Sequence, residues 1–224
     1  MKCRTLEEQK VIEEYNKLNI TSQHVPKQKR AKPKLVRIKE AIGEPEYKKL
    51  MSFTRGDEDI KEVSKERFLL TFTLLYHTGL RLNELMQFKY KDIQNFLDEG
   101  EGKAIASKQG IERRIFISED GIKQINKIFK CTDINANHYI ISKRNAPTIN
   151  LHPITFIKAV NTQLKKVLGS GYTSHSFRRG LITEMARKGV NQAFIRDFIG
   201  HKNSSTTAEY IKATKTDLKN SMVR

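Results

Sequence analysis

The chain of 224 residues carries 42 Lys and Arg against 25 Asp and Glu, a formal net charge of +17 with a pI near 9.8. Such an excess repels itself unless a polyanion is near, so nucleic acid is the first candidate partner. An anionic membrane surface is the weaker rival: no apolar stretch is long enough to span a bilayer, and the N-terminus has no signal-like apolar core. Cys3 and Cys131 form no Cys-x-x-Cys pair, which argues against a zinc knuckle or redox motif. A basic chain without a signal reads as intracellular, with DNA.

Residues 1–41 read as a basic N-terminal arm. Leu6, Val11, Ile12, Tyr15 and Leu18 suggest a short helix, and the run from Val25 to Lys34 carries two prolines and little to bury. Lys27, Lys29, Arg30, Lys32 and Lys34 in that run are expected to contact DNA. The globular pattern starts at Ile42. A helix is expected over 44–52, with Pro45 in its first turn. A long one is expected over 64–79, where Phe68, Leu69, Phe72, Leu75 and Tyr76 make a broad apolar face. Gly79 interrupts it, and helical spacing resumes over 82–88.

Between Asp92 and Ser118 the period shortens. Gly100-Glu-Gly102 and Gln109-Gly110 read as turns around short antiparallel strands at 103–107 and 113–118. Helices are expected at 120–129, 153–168, 176–189, 191–199 and 205–211, with Gly189 ending one and Asn191 capping the next. The class is therefore mainly α with a small antiparallel β-sheet (α+β).

Three segments carry chemistry. His175-Ser-Phe-Arg178 places an imidazole and a guanidinium three apart on a helix start, where both can point at one anion. Ile199-Gly-His201 is followed by Ser204-Ser-Thr-Thr-Ala-Glu-Tyr210, which sets a tyrosine on a short helix as a potential nucleophile. His77-Thr-Gly-Leu-Arg-Leu-Asn-Glu84 delivers Arg81 at the turn after the long helix. Taken singly, each has a plainer reading: a surface or core His/Arg pair, a packing tyrosine, an Arg81–Glu84 ion pair.

Together they resemble the tyrosine recombinase (phage integrase) family. Thr78-Gly-Leu-Arg-Leu-Asn-Glu-Leu85 resembles its first signature box, and the stretch from His175 through His201 to Tyr210 resembles the second, with the family's spacing. The resemblance covers residues 42–211, a catalytic domain, with 212–224 as a tail. It implies Arg81 and Arg178 as the two catalytic arginines, His175 and His201 as the histidines and Tyr210 as the nucleophile. The family's catalytic lysine lies in a β-turn. Ser107-Lys-Gln-Gly-Ile-Glu-Arg-Arg-Ile-Phe resembles that hairpin, with Lys108 the better match and Lys103 the competitor. Glu84 takes a supporting role, and Arg179, where many relatives have His, remains a possible phosphate donor.

The implied reaction is phosphoryl transfer through a 3′-phosphotyrosine linkage, with no cofactor and no metal, since side chains supply the cations and no His/Cys/carboxylate ligand cluster is visible. Full strand exchange needs four active sites, so a homotetramer on DNA is expected, with Leu218, Met222 and Val223 as a segment that could be swapped between neighbours. The residues before Ile42 are too few for the family's separate N-terminal clamp, so that jaw is expected to be missing or reduced. Two other readings compete: a type IB topoisomerase-like nicking-closing enzyme, and a DNA-binding protein that keeps the fold without cutting.

Overall fold

The computed structural model describes residues 40–105, 112–129 and 135–200, together with Glu7, Gln9, Lys10, Val11, Glu13 and Glu14, which are helical. The chain divides into two compact units, Met1–Arg37 and Ile38–Arg224. Lys27, Lys29, Arg30, Lys32, Lys34, Lys108, His201, Tyr210, both cysteines, the helix expected at 205–211 and the C-terminal tail lie outside the described residues.

In the second unit the described elements run α1 (Glu44–Gly56), α2 (Glu62–Thr78), α3 (Leu82–Leu85), α4 (Tyr90–Glu99), β1 (Glu101–Ile105), β2 (Glu112–Phe116), α5 (Glu119–Ile128), β3 (Ser142–Lys143), β4 (Ala146–Asn150), α6 (Pro153–Leu168), α7 (Ser174–Arg187) and α8 (Gln192–Ile199). The class is mainly helical with two small antiparallel hairpins, β1–β2 and β3–β4.

Helix α2 is the axis of the core. Its residues Leu69 to Leu75 are buried without interruption, so it has no solvent face along that stretch and packs against α1, α5 and α7. Its buried threonines stay satisfied by bonding back along the helix: Thr73 Oγ1 donates to the Leu69 carbonyl at 2.9 Å and Thr78 Oγ1 to the Leu74 carbonyl at 2.6 Å. Phe72 stacks between Phe68 and Phe177, at centroid distances of 5.8 and 5.9 Å, which locks α2 to α7. A second, smaller cluster of Ile182, Ile195 and Ile199 holds α8 against α7.

Two contacts fix the edges of this arrangement. The chain entering α1 runs against α7, where the Ile42 amide donates to the Ser176 carbonyl at 3.0 Å. Gly180 makes that approach possible, because a Cβ there would stand 1.9 Å from the Ile42 carbonyl oxygen. The α1–α2 loop is tied to α6 through buried Asp57, which accepts from Lys166 Nζ at 2.9 Å and Gln163 Nε2 at 3.2 Å. Among the described residues no helix is long and apolar enough to cross a membrane.

The local expectations fail in three places. Residues 92–99, where the period reads as shortening and no helix is expected, belong to α4. Ile93, Phe96 and Leu97 share one buried face, Asp92 accepts from the Lys89 amide at 2.8 Å, and Gly100 closes the helix in the left-handed conformation. Gly102 is therefore not a turn residue: it lies inside β1, opposite Ile115. The helix expected over 82–88 ends at Leu85. Its continuation bonds three residues back, from Gln87 to Glu84 and from Phe88 to Leu85, as a tightening last turn does. The β3–β4 hairpin was not anticipated; the Pro147 carbonyl within it accepts from the Tyr139 amide at 3.0 Å.

Candidate active site

The site is built where two helices end. Helix α2 stops at Gly79, whose φ of 61° lies in the left-handed region. The chain then turns through Leu80, fully buried, and presents Arg81. A side chain at Gly79 would also press into α7, with its Cβ 2.8 Å from Leu181 Cδ2. The turn is therefore shaped by both backbone and packing.

Arg81 is gripped by Glu84 at two points. Glu84 Oε2 accepts from the Arg81 amide at 2.9 Å, and Oε1 accepts from Arg81 Nη1 at 2.6 Å. The Glu84 side chain is fully buried, while a third of the Arg81 side chain is exposed, 32%. One end of the pair is thus anchored and the other faces outward. A second guanidinium balances the carboxylate: Arg113 Nη2, on β2, donates to Glu84 Oε2 at 3.0 Å. Burial by itself would push the Glu84 carboxyl up. The Arg81 amide and the guanidiniums of Arg113 and Arg81 outweigh it, holding the carboxyl below its ordinary value of 4.5.

The second signature stretch opens α7. The Thr173 amide donates to Ser176 Oγ at 3.0 Å, and the Ser174 amide donates to Asn161 Oδ1 of α6 at 2.8 Å, so two amides at the helix start find side-chain acceptors. His175 is exposed on this turn. Arg178, three residues on, is buried, with 4% of its surface exposed. Its Nη1 donates to the Gly79 carbonyl at 2.9 Å and its Nη2 to the Ile199 carbonyl. Arg178 is thus buried where His175 is exposed. Arg178 is drawn inward because the C-terminal ends of α2 and α8 leave carbonyls that need donors, and a cation there also complements the negative ends of both helix dipoles. Arg179 is half-buried beside it.

These contacts bring two signature stretches together. Arg178 touches Gly79, two residues before Arg81, and Ile199, two residues before His201. Arg113 repeats the link from the sheet side, since its Nη1 donates to the Phe198 carbonyl at 2.9 Å. Arg113 lies within the hairpin motif, where the resemblance gives it no role. Strand alternation offered a signal: Arg113 shares a face with buried Ile115, whereas Glu112, Arg114 and Phe116 are exposed.

The same register separates Lys103 from the cluster. Lys103 stands opposite Arg114, and Ala104 opposite Arg113, so Lys103 is on the other face of the hairpin. Its Nζ pairs at 2.8 Å with Glu112, in an exposed ion pair. Tyr172 is half-buried before α7; its phenol is raised by burial and by nearby Glu46 and Glu40. A cavity of about 700 Å³ lies elsewhere, beside the Tyr47–Tyr76 stack and His77, and includes none of Arg81, Glu84, Arg113, His175 or Arg178.

Comparison with known proteins places this architecture. Tyrosine recombinase XerA of Pyrococcus horikoshii is 30% identical over 187 residues, covering 80% of this chain and 64% of the relative. Tyrosine recombinase XerC of Staphylococcus saprophyticus is 27% identical over 172 residues, covering 75% of this chain and 55% of the relative. The chain thus spans less than two thirds of the length of these relatives. A crystal structure of XerA recombinase superposes with a TM-score of 0.60 at 21% identity, over 81% of this chain and 63% of that one. A lambda integrase dimer bound to a core site gives 0.58 at 19% identity, over 90% and 70%. The family model described as the phage integrase family matches residues 40–217, which takes in both signature stretches and the helices that join them, and the chain belongs to that family.

Proposed function

We propose that this chain cuts and rejoins double-stranded DNA as a tyrosine recombinase, with Tyr210 as the nucleophile. The observation that carries the reading is the pair of bonds from Arg178 to Gly79 and Ile199. Two segments 99 residues apart in sequence, at Gly79 and Arg178, meet where Arg81 leaves one helix and the chain toward His201 leaves another. A cluster of cations at that junction suits a substrate whose reacting group is a phosphodiester.

In this reading Arg81 and Arg178 stabilise the charge that develops on the nonbridging phosphate oxygens, with hydrogen bonds from His201 and His175. Arg178 would exchange one or both of its carbonyl partners for phosphate. His175, exposed at the helix start, accepts the Tyr210 proton. The phenolate oxygen bonds to phosphorus as the bond to the 5′-oxygen breaks, and Lys108 protonates that leaving oxygen. The products are a 3′-phosphotyrosine ester and a free 5′-hydroxyl. Attack by a second 5′-hydroxyl reverses the step and rejoins the strands. Glu84 holds Arg81 in place rather than moving a proton, in keeping with its full burial and lowered pKa.

The +17 charge and the basic run Lys27, Lys29, Arg30, Lys32 and Lys34, with Arg179, support broad phosphate contact. A homotetramer on DNA, the division at 41/42 and 211/212, and an intracellular place with DNA belong to the same reading. Relatives named as recombinases favour strand exchange over nicking and closing of one duplex. The test is a nicked duplex whose cleaved end diffuses away. A covalent protein–DNA species is expected, together with strand exchange between two duplexes. Relaxation of a supercoiled circle without exchange would select the topoisomerase-like alternative, and DNA binding without any adduct would select the non-cutting one.

A further inference from the structure

Arg113 is bonded to both halves of the site. One nitrogen holds Glu84, at 3.0 Å, and the other holds the Phe198 carbonyl, at 2.9 Å. Glu84 in turn grips the amide and guanidinium of Arg81. Phe198 is in the last turn of α8, just before Gly200, which leaves the helix with a φ of 71°. The Arg113 stem sits under that exit: a Cβ on Gly200 would be 3.0 Å from Arg113 Cδ. The side chain is 9% exposed, and its Nε is buried without a hydrogen-bond partner among the described residues. Burying a guanidinium with one donor unsatisfied is costly, so the two directional contacts, not general packing, account for its place.

From this geometry we infer that Arg113 is a positioning residue for strand cleavage. Resting on the recombinase reading above, it aligns Arg81 through Glu84 and sets the direction in which the chain leaves α8 toward His201. A lysine in its place keeps a positive charge for Glu84 but has one nitrogen on a flexible stem, which cannot reproduce the planar fork spanning carboxylate and carbonyl. Arg81 would then keep its charge and lose its alignment.

A purely structural role predicts a uniform loss, whereas a positioning role predicts a loss that depends on the charge of the scissile group. Single-turnover cleavage by Arg113→Lys at saturating DNA is measured on a nicked phosphodiester duplex and on the same duplex with a methylphosphonate at the scissile position. The neutral methylphosphonate asks less of Arg81. The expected result is near-parental DNA binding and cleavage slowed about 100-fold on phosphodiester, as for a misplacement on the scale of an ångström. On methylphosphonate the deficit should shrink at least about tenfold, because less charge needs stabilising. The double variant Arg113→Met/Glu84→Gln removes the buried charges together, so it strands no carboxylate, and is expected to show the same substrate-dependent deficit. Equal deficits on the two substrates, or parental cleavage by Arg113→Lys, would overturn the inference while leaving the recombinase reading intact. Absence of an adduct with the parental protein would overturn both.

Discussion

Replacing Glu84 with Gln probes the most deeply buried charge of the site. The parental carboxylate is fully buried and accepts from the Arg81 amide, the Arg81 guanidinium and the Arg113 guanidinium. The amide of Gln keeps the shape but turns one acceptor oxygen into a donor. It must therefore give up at least one charged hydrogen bond and face a guanidinium with an N–H. Breaking one side of a buried charge cluster costs about 3 kcal/mol, taking the lower part of the range for stranded buried partners, because Arg81 is partly solvated. For a unit of this size that is a fall in Tm of roughly 6–12 °C. The pH dependence carries a sign. The folded pKa of Glu84 lies below its ordinary 4.5, so its stabilisation is fully present above that value and is lost as pH falls below 4.5 through the depressed folded value. Thermal melts of the two proteins across acid pH should therefore converge below pH 4.5 and stand apart above it. A Glu84→Gln protein melting within about 2 °C of the parent near neutral pH, where the full difference is expected, would mean that the buried carboxylate does not hold the cluster together.

Three further outcomes are expected. Duplex DNA affinity should fall roughly 1000-fold or more between about 50 and 200 mM salt, as for a protein contacting six or more phosphates; a flat titration would contradict the charge argument. Lys108→Ala should cleave slowly and recover on a duplex whose 5′-bridging oxygen is sulfur, which leaves without a proton; the same rescue in Lys103→Ala would transfer the role to that residue. Gly180→Ala should lower stability by about 1–3 kcal/mol, since its Cβ must push the Ile42 carbonyl away from α7, and a denaturant titration reads it directly.

The parts of the fold visible in sequence are those whose signals are local. Gly79 ends α2, Asn191 caps α8 by accepting from the Ala193 amide, and Pro153 starts α6. The pairing of Arg81 with Glu84 is also local, one turn apart. Helix α4 is hard to see in sequence because Asp92, Gln94, Asn95, Asp98 and Glu99 surround three apolar residues and a glycine follows at once. The second hairpin rests on bonds from distant or irregular positions, such as Arg67 Nη2 donating to the Ser142 carbonyl at 3.1 Å. Arg113 is hidden from a sequence reading for a like reason. Its partners lie 29 and 85 residues away, so no spacing rule reveals them. The inward turn of Arg178 is likewise a tertiary fact, set by the two helix ends that converge on it.

Tyr210 is the residue proposed to form the covalent link. Tyr210→Phe removes a single oxygen and leaves the ring, so folding and DNA binding should survive. Tyr172→Phe is the comparison, because Tyr172 lies three residues before His175 on the approach to α7. A labelled nicked duplex is incubated with each protein and run on a denaturing gel. A slow covalent band is expected with the parent and with Tyr172→Phe, and none with Tyr210→Phe. A band that persists in Tyr210→Phe and vanishes in Tyr172→Phe would contradict that role for Tyr210.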